Sequence, residues 1–147
     1  MTFSSAQNLD SLWAVWSDST LVDTVRLYAL DKYVSKVYLE IEYDSAYSLA
    51  QMQFEFAEKQ KLKLHMAKAL CFQGILLRNK QKYPQSLERF FRELKIYEDK
   101  KDDQMKVNCL TNIARCYVGE NEYLKGIGVR RCAGAKNLQL SMRCCDV

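Results

Sequence analysis

The chain is poor in the residues that interrupt helices and in those that bind metals. Its 147 residues include five glycines and one proline, too few for a β-sandwich or barrel, which needs a turn every ~8–12 residues. There is one histidine, His65, and the six cysteines form no C-x-x-C pair, so no metal site or disulfide framework is indicated. No apolar run approaches the ~18–20 residues of a membrane helix. Residues 1–10 lack the basic and apolar regions of a signal peptide, so we expect a helical, cytoplasmic protein.

The composition favours a packed core over disorder. Hydrophobic residues make up 48% and aromatic residues 12% of the chain, and the net charge is +4. Disordered chains have fewer aromatic residues and a larger net charge. The length is that of one domain.

Cys109 and Cys116 are seven residues apart, so they share one helix face and are predicted to be small core residues.

An internal repeat of 40 residues runs through the chain. Each copy has a tyrosine, a small residue three positions later and a small or short residue nine positions earlier: Tyr43, Tyr83 and Tyr123; Ala46, Ser86 and Gly126; Val34, Gly74 and Ala114. Several residue classes in register over three copies indicate a repeat architecture. The small residues permit two helices to cross closely, because a bulky side chain at the crossing would hold the axes apart.

Apolar residues recur with the helical period of 3.6 within each copy. They predict antiparallel pairs of helices at 21–40 with 44–59, 63–79 with 84–100, and 104–119 with 123–138. Thr20 with Asp23 has the spacing of a capping box, Asp44 can cap a helix, and Pro84 suits a first helical turn. The predicted parts are a short amphipathic helix in 1–19, repeats over 20–60, 61–101 and 102–127, and a degenerate end at 128–147.

The repeat resembles the tetratricopeptide family, in its longer variety. The resemblance covers residues 21–127 and rests on two spacings: Gly74…Leu77…Tyr83…Ser86…Phe90 and Leu110-Thr-Asn-Ile-Ala114…Tyr117…Tyr123…Gly126. It implies an all-α fold, a right-handed α-α superhelix of about three helical hairpins. The N-terminal run through Trp13 and Trp16 is similar to bacterial signalling proteins, in which such repeats precede a nucleotide cyclase, a histidine kinase or a DNA-binding domain.

Two parts of the chain depart from the family pattern. The first copy has Val34 where the others have glycine or alanine, which suits a terminal repeat. After Ile127 the pattern decays, because Gly126, Gly128 and Gly134 each disfavour a helix by roughly 1 kcal/mol relative to alanine. We expect residues 128–147 to be a truncated or altered end.

Catalytic signatures are missing from the sequence. It contains no G-x-S-x-G, no phosphate-binding loop and no dinucleotide-binding glycine motif. His65 is expected to be a partly exposed surface residue, and the acidic runs Glu98-Asp99 and Asp102-Asp103 a solvated loop. We therefore expect a protein that is not an enzyme and that holds no cofactor and no metal.

The family resemblance also implies a binding site. In tetratricopeptide arrays the first helix of each pair lines a concave groove, and the matching positions here are Asp31, Lys32, Ser35, Lys68, Cys71, Phe72, Arg78, Asn108, Thr111, Asn112 and Arg115. Asn112 matches an asparagine that such repeats present to a peptide backbone. Lys68, Arg78 and Arg115 can pair with a carboxylate. The lysine and asparagine clamp of chaperone-tail binders is not reproduced, because Cys71 and Ile75 occupy those places.

Charge is unevenly distributed along the chain. Residues 1–58 hold 3 basic and 9 acidic residues, a net −6, whereas residues 59–147 hold 19 and 9, a net +10. This asymmetry fits an acidic partner for the second half, or self-association between halves. The basic residues alternate with Glu88, Glu93 and Glu98, which disfavours nucleic acid. The expected function is a protein-interaction scaffold that binds a peptide or partner helix, and the alternative is the detached sensory or dimerisation region of a signalling protein.

Overall fold

Helices account for the architecture of the chain. The computed structural model describes residues 3–40 and 43–120, and this part contains six helices and no strand: α1 (Phe3–Ser17), α2 (Asp23–Glu40), α3 (Tyr43–Lys59), α4 (Lys63–Asn79), α5 (Tyr83–Lys100) and α6 (Asp103–Gly119). The predicted all-α class is confirmed, and the predicted helices from 21 to 119 match within two residues at each end. The predicted helix at 123–138, the positions Tyr123 and Gly126, and the end at 128–147 lie outside the described residues.

The helices belong to two compact units, Met1–Ala69 and Leu70–Val147, whose boundary falls within α4. In the first unit, α2 packs against both α1 and α3, and its inward face is buried at Leu27, Leu30 and Val34. In the second unit, α5 packs against α6. The core of that unit is formed by Phe90, Cys109, Leu110, Ile113, Ala114 and Cys116. Within each unit, consecutive helices thus pack side by side, as the periodicity predicted.

Three turns between helices repeat one hydrogen-bond pattern at intervals of 20 residues. Lys61, Gln81 and Lys101 adopt the left-handed conformation, with φ of 57°, 58° and 56°. At the second turn, the Gln81 N–H donates to the Arg78 carbonyl (2.8 Å) and the next N–H, of Lys82, donates to Leu77 (2.9 Å). The other two turns have the same pair of bonds, which is the Schellman motif. Two such turns complete one 40-residue repeat, which accounts for the period in the sequence.

Glycine in place of Gln81 should stabilise the protein. A residue with a Cβ atom is disfavoured in the left-handed region by about 1–2 kcal/mol and glycine is not. Because glycine also adds about 0.4–1 kcal/mol of unfolded-chain entropy, we expect the free energy of unfolding to rise by a net amount of about 0.5–1 kcal/mol in Gln81→Gly. Thermal denaturation measures the change. Lys82→Gly is the matched control, because Lys82 has a negative φ of −85°. Glycine there relieves no strain and only raises the conformational entropy of the unfolded chain, which lowers stability. An equal loss of unfolding free energy in both variants would contradict the left-handed conformation of Gln81.

The helix starts agree only in part with the sequence signals. Pro84 lies in the first turn of α5, as predicted. The capping box at Thr20 was wrong: the Thr20 hydroxyl donates to the Asp18 carboxylate (2.6 Å), and α2 begins at Asp23. Asp44 lies inside the first turn of α3. Asp102, expected in a solvated loop, instead caps α6 by accepting from the Met105 N–H (3.1 Å).

In the first unit, an arginine side chain stacks on two aromatic rings. The guanidinium of Arg26 lies 5.2 Å from the ring centroid of Trp16 and 4.8 Å from that of Phe56, and its Nε donates to the Trp16 carbonyl (3.0 Å). Both the stacking on the aromatic rings and the hydrogen bond of Nε stabilise this position of the planar guanidinium. Trp16 is buried, whereas Trp13 is 40% exposed and contacts Tyr33, with ring centroids 5.2 Å apart.

The second unit depends on a close approach between α4 and α5 at Gly74. A Cβ atom built on Gly74 would lie 2.6 Å from Cε1 of Phe90, closer than packed carbon atoms come. The Ser86 hydroxyl donates to the Gly74 carbonyl at 2.7 Å. The small residues at these repeat positions therefore permit the helices to cross closely, as the sequence indicated.

A leucine in place of Gly74 should destabilise the chain. On an exposed helix this change would raise stability, because leucine has the higher helix propensity. At Gly74 the side chain would meet the Phe90 ring, and we expect a loss of about 1–3 kcal/mol or more from overpacking. Thermal denaturation measures it, with Gln85→Leu on the exposed side of α5 as the control. An unchanged melting temperature in Gly74→Leu would contradict the packing described.

Candidate functional site

Groove residues predicted on α2 are joined to the start of α4 by an ion pair. Lys68 Nζ lies 3.6 Å from Asp31 Oδ2, and the Lys68 side chain is 41% exposed, so solvent screens the pair. The Ser35 hydroxyl donates to the Asp31 carbonyl of its own helix (2.8 Å). Lys32 Nζ lies 5.4 Å from the centroid of the Tyr28 ring. The described contacts of these side chains are thus within the first unit.

His65 lies beside this ion pair. It is half-buried, which confirms the expected partial exposure, and its Nδ1 is buried without a hydrogen-bond partner. Burial lowers the pKa of His65, the Lys68 cation lowers it further and the Asp31 carboxylate opposes both. The imidazole is therefore held in its neutral form, which is the form that a hydrophobic contact favours.

The second unit brings three of the predicted groove residues together. Arg78 Nη1 of α4 donates to Asn112 Oδ1 of α6 (3.1 Å). The Asn112 amide Nδ2 lies 4.0 Å from the Cys71 sulfur, which accepts from it. We call Cys71, Asn112 and Arg78 the polar row; it connects α4 to α6. A single asparagine uses both ends of its amide in this row, one as donor and one as acceptor.

The remaining predicted residues of this unit lie on α4 and α6, the two helices that the polar row connects. Thr111 donates its hydroxyl proton to the Val107 carbonyl of its own helix (2.8 Å), and Asn108 Nδ2 donates to the Met105 sulfur (3.7 Å). Phe72 is half-buried and Arg115 is exposed. Since Arg115 is three residues beyond Asn112 on α6, it lies on the same helix face and adds a second guanidinium near the row.

The second unit also contains a buried carboxyl group. Glu93 of α5 is 1% exposed, and its Oε2 has no hydrogen-bond partner. Burial raises the pKa of Glu93 to about 7, although hydrogen bonds from the Cys109 and Cys71 thiols oppose the rise. Cys71 therefore contacts both the polar row and the buried carboxyl group.

Both thiols predicted as core residues are buried, which confirms that prediction. The Cys109 thiol donates to the Phe90 carbonyl (3.0 Å), and Cys116 Sγ lies 3.2 Å from the Ser86 hydroxyl oxygen. Burial first, and the Glu93 carboxylate next, raise the pKa of Cys109. Burial raises the pKa of Cys116. A protonated thiol is a weak nucleophile, so the chemistry of these groups is hydrogen bonding.

Sequence analysis did not single out Glu93, which it named only among the acids that alternate with basic residues along a helix. The structure places this side chain in the core. A signal for burial was present: Ser86, Phe90, Glu93 and Tyr97 follow the i, i+4, i+7, i+11 spacing of one helix face, and all four are buried. An acidic residue at the same helical spacing as the buried residues of its helix is therefore predicted to be buried as well.

The described part of the chain carries neither a metal-binding group nor a membrane span. Among residues 3–40 and 43–120, no three His, Cys, Asp or Glu side chains are placed to hold a metal ion. No helix in the same ranges has the length and hydropathy needed to cross a membrane. Comparisons with protein-family models, with curated proteins and with solved structures gave no match to this chain.

Glutamine in place of Glu93 should remove a pH dependence of stability. The ordinary pKa is 4.5 and the folded value about 7, so the neutral carboxyl group stabilises the fold fully below pH 4.5. That stabilisation is lost as the pH rises to 7, by on the order of 3 kcal/mol. We expect the free energy of unfolding of Glu93→Gln, relative to the original chain, to increase across this range.

Denaturant unfolding at about pH 5 and pH 8 measures the difference. The control is Glu88→Gln, because the Glu88 side chain is 61% exposed on the same helix and its loss should leave the pH profile nearly unchanged. A Glu93→Gln profile parallel to that of the original chain would contradict the buried titration.

Proposed function

We propose that this protein is a non-catalytic interaction scaffold of tetratricopeptide-like repeats that binds an acidic peptide or partner helix. Consecutive packed helices, the same turn at 20-residue intervals and the close approach at Gly74 all support a repeat of this type. Such repeats bind partners through an exposed face and need no reactive group.

The observation that carries the proposal is the polar row. Arg78 and Asn112 come from α4 and α6, the two helices that the family resemblance assigns to the groove, and their side chains meet at 3.1 Å. Arg115, exposed on the same face of α6, provides a guanidinium whose planar fork matches a carboxylate. The excess of basic residues in 59–147 favours the same class of ligand.

Selection from a random peptide library against the full chain tests the proposal. We expect enrichment of peptides with Asp, Glu or a free C-terminal carboxylate. In Asn112→Ala with Arg115→Ala, their affinity should fall at least about tenfold, because a hydrogen bond to a charged group contributes roughly 1.5–3 kcal/mol. Isothermal titration calorimetry measures the affinity, and thermal denaturation should show a loss of stability of only about 1 kcal/mol, from the hydrogen bonds of Asn112.

Gln85→Ala with Lys95→Ala is the matched control, since both residues are exposed on α5 and the pair removes the same charge. Affinity in the control should stay within about twofold of the original. Equal loss in both double variants, or no loss in either, would place the bound peptide elsewhere and contradict the proposal. Failure to enrich any acidic peptide would contradict the ligand class.

A further inference from the structure

Four exposed apolar side chains lie at one end of the first unit. The described residues include eight large hydrophobic or aromatic side chains that are exposed, and half of them are here: Val22 (68% exposed), Leu64 (48%), Val25 (47%) and Leu21 (37%). Single exposed apolar residues are ordinary on a protein surface, whereas a cluster of them indicates an interaction site. We call these four residues the end patch.

The packing of three side chains shows that the residues of the end patch belong to the same end. Trp16 lies in the last turn of α1, Arg26 in the first turn of α2 and Phe56 in the last turn of α3. The ring centroids of Trp16 and Phe56 are 4.9 Å apart, and the Arg26 guanidinium lies 4.8 Å from the Phe56 ring. The turn from α1 to α2, with two residues of the patch, is therefore on the same side of the unit as the turn from α3 to α4.

These two turns carry opposite charges. Asp18 is the charged residue of the first turn, and the hydroxyl and N–H of Thr20 donate to its carboxylate (2.6 and 2.9 Å), which lowers its pKa and keeps it ionised. The second turn, residues 58–63, has a net charge of +2, and its charged side chains are all exposed: Glu58, Lys59, Lys61 and Lys63. The end patch thus has an acidic turn and a basic turn beside it.

We propose that the end patch is the contact surface of a symmetric dimer, in which the acidic turn of each copy faces the basic turn of the other. A two-fold axis brings the same surface of both copies together, so each apolar patch is covered by an identical one. The same rotation places Asp18 of each copy opposite Lys61 of the other. A surface with charges of one sign would repel its own copy, whereas this one is complementary to itself.

The charges also favour a second copy over the other surfaces that an apolar patch with lysines could contact. Lipid headgroups and nucleic acids present negative charge to the whole of a bound surface, so the ionised Asp18 would oppose both. The proposal does not rest on the function given above, because the end patch lies in the first unit and the polar row in the second.

Sedimentation velocity of the full chain measures the association. A patch of four side chains predicts a weak dimer, so we choose protein concentrations of about 10–500 μM. We expect the fraction of dimer to rise with concentration. It should be smaller at about 0.5 M salt than at about 0.05 M, because salt screens exposed charges.

Val22→Glu tests the apolar contact. The backbone carbonyl of Val22 still accepts from the Val25 and Arg26 N–H groups, and a carboxylate next to the start of α2 favours the helix, so the fold should be kept. We expect the dissociation constant of the dimer to rise at least about tenfold, because a charge is desolvated at the contact. Phe91→Glu is the matched control, since Phe91 is 39% exposed on α5 of the second unit, and it should stay within about twofold of the original chain.

Exchange of charges between copies tests the symmetry. Asp18→Lys and Lys61→Glu each place like charges opposite one another in both contacts, so each variant alone should associate at least about fivefold more weakly. An equal mixture of the two should recover the original association to within about twofold, because every charge then meets its opposite. Circular dichroism checks that Asp18→Lys is folded without its bonds to Thr20. If it is not, Asp18→Asn keeps an oxygen for Thr20, and in one chain with Lys61→Glu it should restore part of the lost association.

Three results would overturn the proposal. The first is a chain that stays monomeric over the whole concentration range, which would assign the end patch to a different partner. The second is an equal effect of Val22→Glu and Phe91→Glu on the dissociation constant. The third is a failure of both recoveries, in the mixture of folded variants and in the doubly substituted chain.

Discussion

The contact on which the second unit depends is the insertion of the Phe90 ring against the backbone of Gly74. It brings α5 so close to α4 that the Ser86 hydroxyl reaches the Gly74 carbonyl. The same approach sets the position of α6, because the Cys109 thiol donates to the Phe90 carbonyl and Cys116 contacts Ser86. One missing side chain thus determines how three helices meet, since dense packing transmits a local fit to every neighbour.

Polar groups that are buried without full hydrogen bonding lower the stability of the protein. Glu93 is buried beside two thiols, which are weak donors, and Gln53 in the first unit has both amide atoms buried without partners. A leucine or methionine would fill such a position without the desolvation penalty. Burial raises the pKa of the Glu93 carboxyl group to about 7, so its effect on stability changes with pH in the neutral range.

Much of the fold could be predicted from the sequence. The helix bounds followed from apolar residues at the helical period, and the role of Gly74 followed from its register with Val34 and Ala114. The turn conformations at Lys61, Gln81 and Lys101 could not be predicted in this way, because lysine and glutamine are not signals for a left-handed residue. They adopt it because the Schellman hydrogen bonds and the packing of the adjoining helices outweigh the local strain.

The sequence by itself determined the helical class and the 40-residue repeat, because periodicity specifies which residues share a face. The choice of Arg78, Asn112 and Arg115 as groove residues came from the family resemblance. Only the tertiary structure decided that Asn112 bonds to Arg78 and Cys71, and that Glu93 is buried. The two bonds of Asn112 join residues 34 and 41 positions apart in the chain. No local pattern encodes such pairings, since they depend on the relative depth and rotation of packed helices.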